Sequence, residues 1–158
     1  KFNYIKARIF SFFDKETGTH NFQSDKAIES ITSGGFFGKG IGEGTLKNRV
    51  PEAHTDYIIS VISEEFGVIA IILILILFLV LIYMVFKKIS FETEEQNKLI
   101  LIGSVSLILM QATIHIGVNI RLFPTTGMTL PFLSYGGSSI VSTSILTGII
   151  LNLTKRKI

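Results

Sequence analysis

One stretch of the chain, from Phe66 to Phe86, carries no charged side chain and consists almost entirely of Ile, Leu, Val and Phe. A membrane-spanning helix needs about 20 consecutive, mostly apolar residues, and this stretch meets that requirement. Two further runs, Leu99–Ile120 and Gly136–Leu153, contain no Asp, Glu, Lys or Arg. The pattern predicts an all-α polytopic membrane protein with three transmembrane helices, near residues 57–86, 98–119 and 136–153.

The composition excludes several other classes of protein and of binding site. Of the 158 residues, 47% are hydrophobic, and the mean hydropathy of +0.52 is too high for an average soluble domain. Cysteine is absent, so the sequence offers neither a disulfide framework nor a thiolate metal site. The formal net charge of +3 is too small to indicate a nucleic-acid partner. The chain does not begin with Met or with a signal-peptide pattern, and we expect it to be a fragment of a longer membrane protein, cut on its N-terminal side.

The basic residues next to the predicted helices suggest an orientation. They are dense in the short loop at 87–97 and in the C-terminal tail, and comprise Lys87, Lys88, Lys155, Arg156 and Lys157. Short cytoplasmic loops carry an excess of Lys and Arg, so this side is predicted to be cytoplasmic. Residues 1–56 then form a large extracytoplasmic loop, and residues 120–135 form a second outer loop.

The large loop is expected to contain interfacial and short helices. Aromatic and basic residues interleave over residues 2–13, which fits an amphipathic segment at the membrane interface or the end of a preceding helix. Ser24 to Ser33 reads as a short helix, with Ser24 as its N-cap and Gly34 and Gly35 ending it.

Polar residues recur on one face of two of the predicted spans. Asp56, Ser60 and Glu64 follow one another at intervals of four, with Thr55 as a plausible N-cap and Asp56 as the first helical residue. The second stripe consists of Ser104, Gln111, His115 and Asn119. Polar side chains are costly against lipid, so both stripes should face protein, either as hydrogen bonds between helices or as the lining of a polar cavity. Glu65 points away from the first stripe and needs a partner of its own.

The glycine-rich stretch "GGFFGKGIGEG" does not fit either common phosphate-binding motif. A P-loop needs Ser or Thr after its Lys, whereas Gly40 follows Lys39, and Glu43 stands where the dinucleotide fingerprint needs its third Gly. A turned loop is the simpler interpretation. His54 and Asp56 form only a weak candidate metal pair without a third ligand.

Two stretches, "SGGFFGKGIGEGTLKNRVPEAHTDYIISVISEEFG" and "GMTLPFLSYGGSS", resemble the SEDS family (shape, elongation, division and sporulation), the FtsW and RodA group, and resemble its division-type branch most. The resemblance covers essentially the whole chain. It implies a family fold of ten transmembrane helices, of which this chain would supply the large outer loop and the last three. It also implies a peptidoglycan glycosyltransferase that polymerises lipid II in the bacterial inner membrane at the division septum. A class B penicillin-binding protein transpeptidase and other divisome proteins would be its partners.

The resemblance also implies site residues. The family's essential loop aspartate falls on Asp56, as a catalytic base or as the ligand of a divalent cation, Mg²⁺ or Mn²⁺. Residues on the same side are candidates for binding the substrate: Lys39, Lys47, Arg49, His54 and Arg121. Candidate cavity-lining residues are Ser60, Glu64, Gln111, His115 and Asn119. Without the other helices we expect the chain alone to be inactive. Alternative functions are an elongation-type polymerase, a flippase or transporter of the lipid-linked precursor, and a scaffold for the transpeptidase.

Overall fold

A computed structural model of the chain describes residues 19–50 and 52–155, with the side chains of residues 19–21 left out. Within that part of the chain the structure is helical without strands, in agreement with the predicted class. The helices are α1 (Thr19–Gly34), α2 (Leu46–Arg49), α3 (Ile58–Phe91), α4 (Glu95–Asn119) and α5 (Gly137–Thr154). The segment 2–13, expected to be interfacial, lies outside the described residues.

Three of these helices, α3, α4 and α5, are long and apolar enough to cross a membrane. The loop predicted at 87–97 is much shorter than expected, because α3 continues to Phe91 and α4 begins at Glu95. Lys87 and Lys88 are therefore helical. Lys88 lies 3.4 Å from Glu92, an ion pair at i, i+4 that favours helix at this position.

Helix α1 is longer than predicted, and the assignment of Ser24 as its N-cap is wrong. The helix begins at Thr19, and Ser24 lies inside it with its hydroxyl 3.5 Å from that of Tyr57. Gln23, also inside the helix, donates a hydrogen bond of 2.8 Å to Glu52. The early part of α1 therefore contacts residues just before α3, and local capping residues do not predict where this helix begins. The predicted end is confirmed, since Gly34 is the last helical residue and Gly35 has a φ of 58°.

Helix α3 is broken at Gly67, where φ is 79° and ψ is −178°. The glycine-rich segment after α1 lies against this break and completes its hydrogen bonds. The amides of Val68 and Ile69 donate to the carbonyls of Gly35 and Phe36, at 3.0 and 3.5 Å. Non-helical backbone inside a membrane helix needs such partners, because lipid supplies none. The loop is therefore a structural part of the first span.

The helices pack around three apolar clusters. One joins α1, α2 and the start of α3 and includes Ala27, Leu46 and Tyr57. A second, at the other end of the spans, joins α3, α4 and α5 through Val85, Ile108 and other residues. The third lies between them. This arrangement brings together the start of α3, the end of α4 and the start of α5 at one end of the bundle.

Candidate functional site

The segment preceding α3 is a turn from Glu52 to Tyr57, and it carries the aspartate singled out in the sequence. Neither Thr55 as N-cap nor Asp56 as the first helical residue is correct. Helix α3 begins at Ile58, and the Thr55 hydroxyl donates instead to the Glu52 carbonyl at 3.1 Å. Asp56 remains two residues before the helix, where the exposed amides of an N-terminus favour a negative charge.

Helix α4 holds the backbone of this turn through Asn119. Its side-chain amide donates to the carbonyl of Asp56 at 2.9 Å, and its side-chain oxygen accepts from the Ser60 hydroxyl at 2.7 Å. Asn119 and Ser60 are both fully buried. The two polar stripes of the sequence therefore meet here, and this pair contributes hydrogen bonds between helices.

The loop between α4 and α5 holds the same turn from another direction. The Ser134 hydroxyl donates to the Thr55 carbonyl at 2.7 Å and accepts from the amide of Leu130 at 2.8 Å. The amide of Tyr135 donates to the His54 carbonyl at 3.0 Å. The two stretches that carry the family resemblance are thus joined directly through their backbones. The His54 side chain is exposed.

The same loop also passes next to the Asp56 carboxylate. Gly127 has a φ of 73°, and a Cβ atom there would lie 3.9 Å from Oδ2 of Asp56. The two residues after Gly127 are fastened to α4. His115 Nδ1 lies 2.8 Å from the carbonyl of Met128, and Gln111 donates to the carbonyl of Thr129 at 2.9 Å. Through these contacts, the polar stripe of α4 sets where the loop lies beside Asp56.

Both predicted substrate-binding lysines are paired with acids of α3. Lys39 lies 2.8 Å from Glu64, which is 1% exposed, and Lys47 lies 3.1 Å from Glu65. Glu64 also accepts hydrogen bonds from the hydroxyl of Thr45 and the amide of Leu46, each at 3.0 Å. These contacts supply the partners that both acids require, including that of Glu65, which the sequence left unassigned.

The two predicted arginines pair with acids of α1. Arg121 bonds to Asp25, and Arg49 lies 3.9 Å from Glu29. The hydrogen bond and charge of Lys26, aided by Arg49, hold the pKa of Glu29 below its usual range. Both arginines thus help to dock α1, whose acidic residues the sequence did not single out.

A cleft of about 170 Å³ lies between α1 and the segment around α2. Lys39 and Arg49 are both on its wall, together with Glu29 and Glu64. The structure therefore brings two of the predicted basic residues, Lys39 and Arg49, to one cleft. Arg121 pairs instead with Asp25 of α1, and Lys47 pairs with Glu65.

Asp56 is the residue that could hold a divalent cation. Among the described residues, no three His, Asp or Glu side chains come together as a ready-made metal cage. Mg²⁺ is commonly bound by one or two carboxylates together with the phosphates of a substrate. A single carboxylate at the end of the bundle fits binding of the cation together with substrate phosphates.

Several residues that shape this site were not singled out from the sequence as site residues, namely Gly127, Met128, Thr129 and Ser134. All four lie in or beside "GMTLPFLSYGG", so the motif itself was the available signal. Their roles depend on which backbone groups they reach, and the sequence alone does not contain that information.

Comparison with known proteins places the chain among cell cycle proteins. The FtsW/RodA/SpoVE family profile matches residues 2–158. The chain is 41% identical over 153 residues to a probable peptidoglycan glycosyltransferase FtsW of Enterococcus hirae, covering 96% of this chain and 38% of that protein. It is 38% identical over 158 residues to the probable peptidoglycan glycosyltransferase FtsW of Caulobacter vibrioides, covering 99% of this chain and 40% of that protein. The chain thus spans about two fifths of the length of these curated relatives.

A solved structure is also similar. It describes the structural coordination of polymerization and crosslinking by a peptidoglycan synthase complex, and it matches with a TM-score of 0.76 at 25% sequence identity. The match covers 96% of this chain and 41% of the other. The fold of this chain is therefore similar to that of part of a larger chain in the peptidoglycan synthase complex.

Proposed function

The chain belongs to the FtsW/RodA/SpoVE family of cell cycle proteins, and on that basis we propose that it forms part of a division-type peptidoglycan glycosyltransferase that polymerises lipid II. The names of the relatives support the reaction and the division-type assignment. The chain covers less than half of each relative, so the proposal concerns the full-length protein to which this segment contributes.

The placement of Asp56 is the observation that carries the proposal. Asp56 is partly exposed, its backbone carbonyl is held by Asn119 from α4, and the adjacent Thr55 carbonyl is held by Ser134 from the loop. A partly exposed acid on a backbone fixed from two directions is suited to act on a bound molecule. Groups that are held in place in advance lose little entropy when they react.

In the proposed reaction, the 4-hydroxyl of one lipid II molecule attacks the anomeric carbon of another chain, and undecaprenyl diphosphate leaves. A hydroxyl is a weak nucleophile at neutral pH. Asp56 would accept its proton as the new glycosidic bond forms, and such general base catalysis contributes typically 10²–10⁴-fold to rate.

The leaving diphosphate needs positive charge. Lys39 and Arg49, on the wall of one cleft, are the candidates that the structure brings together. Both already pair with acids, so we propose that they act by exchanging those partners or through the net charge of the cleft. A divalent cation bound at Asp56 would supply further charge to neutralise the diphosphate.

We further propose that the protein works with a class B penicillin-binding protein transpeptidase and other divisome proteins at the septum of the inner membrane. Support comes from the similar solved structure, described as a complex that coordinates polymerization with crosslinking. The lipid bilayer is the other partner, reached through the three apolar helices.

The test is lipid II polymerisation by the purified full-length protein and its Asp56→Asn variant. We expect the variant to lose at least about 10²-fold in rate, because the amide cannot accept the proton. Glu52→Gln is the matched control, since this acid lies in the same turn and its carboxylate bonds to Gln23. It should leave polymerisation nearly unchanged.

The alternatives predict different results. A flippase or a scaffold would form no glycan polymer even as the wild-type protein. Activity of Asp56→Asn equal to wild type would remove Asp56 from the reaction. A variant that also loses its folded state, judged by circular dichroism, would assign Asp56 a structural role instead.

A further inference from the structure

The tip of the glycine loop exposes three large apolar side chains that the proposed reaction does not use. Phe36 is 74% exposed, Phe37 is 83% exposed and Ile41 is 80% exposed. Large apolar side chains clustered on a surface usually mark contact with a membrane or with another protein.

The backbone of this loop is fastened to α3 at a defined level. The amide of Ile69 donates to the Phe36 carbonyl, and the amide of Val68 donates to the Gly35 carbonyl. The two phenylalanines therefore lie beside Gly67. Gly67 is one residue inside the uncharged run that begins at Phe66, so this level corresponds to the edge of the hydrocarbon layer.

The loop tip lies beside exposed apolar residues of α3. At the same level of α3, Phe66 is 44% exposed and Ile69 is 51% exposed. Further along the helix the exposed apolar residues continue with Ile72 and Leu73. Since α3 is long and apolar enough to cross a membrane, the loop tip adds its apolar side chains at one end of a candidate span.

Several polar groups of the loop are paired where the loop meets α3. The amides of Lys39 and Gly40 donate to the carbonyls of Glu64 and Glu65, at 2.8 and 3.1 Å. The Lys39 ammonium is paired with Glu64. Unpaired backbone groups are costly in lipid, and these pairings remove much of that cost where the loop meets α3.

We propose that Phe36, Phe37 and Ile41 insert into the lipid bilayer at the boundary between headgroups and acyl chains, in the leaflet on the Asp56 side. Phe and other large apolar side chains of interfacial segments are buried at this boundary. Because the same loop completes the break at Gly67, its insertion would set the depth of α3. Asp56 lies eleven residues before Gly67, on the order of 15 Å further from the hydrocarbon.

The test measures the surroundings of the loop tip by spin labelling. A nitroxide is attached at Phe37→Cys in a cysteine-free background of the full-length protein, reconstituted in vesicles of phosphatidylethanolamine and phosphatidylglycerol. Power saturation then compares collisions with oxygen, which concentrates in lipid, and with a water-soluble nickel chelate. Leu73→Cys, in the uncharged run of α3, serves as the lipid reference, and Asn48→Cys, exposed on α2, serves as the aqueous reference.

We expect the Phe37 label to behave like the Leu73 label but at a shallower depth, and the Ile41→Cys label to agree. A high nickel accessibility equal to that of Asn48 would overturn the proposal. Low accessibility to both reagents would also overturn it, because the tip would then be covered by protein. Circular dichroism and size-exclusion profiles of the labelled variants confirm that each compared sample is folded.

Discussion

The side-chain amide of Asn119, at the end of α4, donates a hydrogen bond of 2.9 Å to the backbone carbonyl of Asp56. A neighbouring helix therefore fixes the backbone that carries the Asp56 carboxylate. The remaining contacts around the site serve the same purpose, since Ser134 holds the preceding carbonyl and Gly127 lies beside the carboxylate.

Asn119→Leu should destabilise the protein and reduce lipid II polymerisation. The substitution leaves the buried Ser60 hydroxyl and the Asp56 carbonyl without this partner, and each unsatisfied buried group costs about 1–3 kcal/mol. Ser60→Ala removes only one side of the arrangement and should cost less. Thermal unfolding in detergent, measured beside polymerisation, provides the comparison. Equal stability of Asn119→Leu and wild type would contradict the role of Asn119.

Gly127→Ala should lower activity more than it lowers stability. At a φ of 73°, a side chain adds strain of about 1–2 kcal/mol, and the new methyl group would lie 3.9 Å from the Asp56 carboxylate. Gly137→Ala is the matched control, because a Cβ at this helical glycine meets no atom within 4 Å. The measurement is the rate of polymerisation at equal amounts of folded protein. The prediction fails if the two variants are equally active.

Gly67→Ala should prevent the native packing of α3. A Cβ atom there would lie 2.2 Å from the Phe36 carbonyl oxygen, which is backbone and cannot rotate aside. The φ of 79° adds strain of about 1–3 kcal/mol. Gly103→Ala, in the open part of α4, should fold normally. The yield of monodisperse protein after detergent extraction distinguishes the two, and normal yield of Gly67→Ala would refute the observed break.

Lys39→Met should destabilise the protein more than Lys47→Met. Lys39 neutralises Glu64, which is 1% exposed, whereas Glu65, the partner of Lys47, is 12% exposed. Removing one partner of a fully buried pair costs about 3–5 kcal/mol. We expect less here, because the Lys39 side chain is 34% exposed and Glu64 keeps its bonds to Thr45 and Leu46. Denaturation midpoints of the two variants test this order of stability. The double variant Lys39→Met with Glu64→Gln should regain part of the stability that Lys39→Met loses.

The orientation in the membrane is testable by labelling of single cysteines in intact cells. Thr93 lies in the short loop between α3 and α4, and Asn48 lies near the Asp56 end of the bundle; both are exposed. We expect an impermeant thiol reagent to reach Asn48→Cys and to leave Thr93→Cys unlabelled until the cells are permeabilised. The opposite pattern would reverse the orientation derived from the basic residues.

The three long apolar helices are predictable from the order of residues alone, because hydrocarbon excludes charged residues over a length that can be counted along the chain. The sequence also predicted which faces of the helices turn inward. Ser60, Glu64, His115 and Asn119 are all buried, since polar groups are costly against lipid. Asp56 was singled out by the motif that surrounds it, and its catalytic role remains a prediction.

How these elements meet depends on contacts between segments that are far apart along the chain. A glycine inside an apolar helix does not by itself predict a break. Gly67 adopts its non-helical conformation because a loop some thirty residues earlier supplies the missing hydrogen bonds. Helix α3 likewise begins at Ile58 and not at Asp56, because Ser134 and Asn119 hold the preceding turn. Capping rules consider only residues that are close along the chain. Ser134 and Asn119 are distant in sequence, and their geometry depends on the packing of the whole bundle.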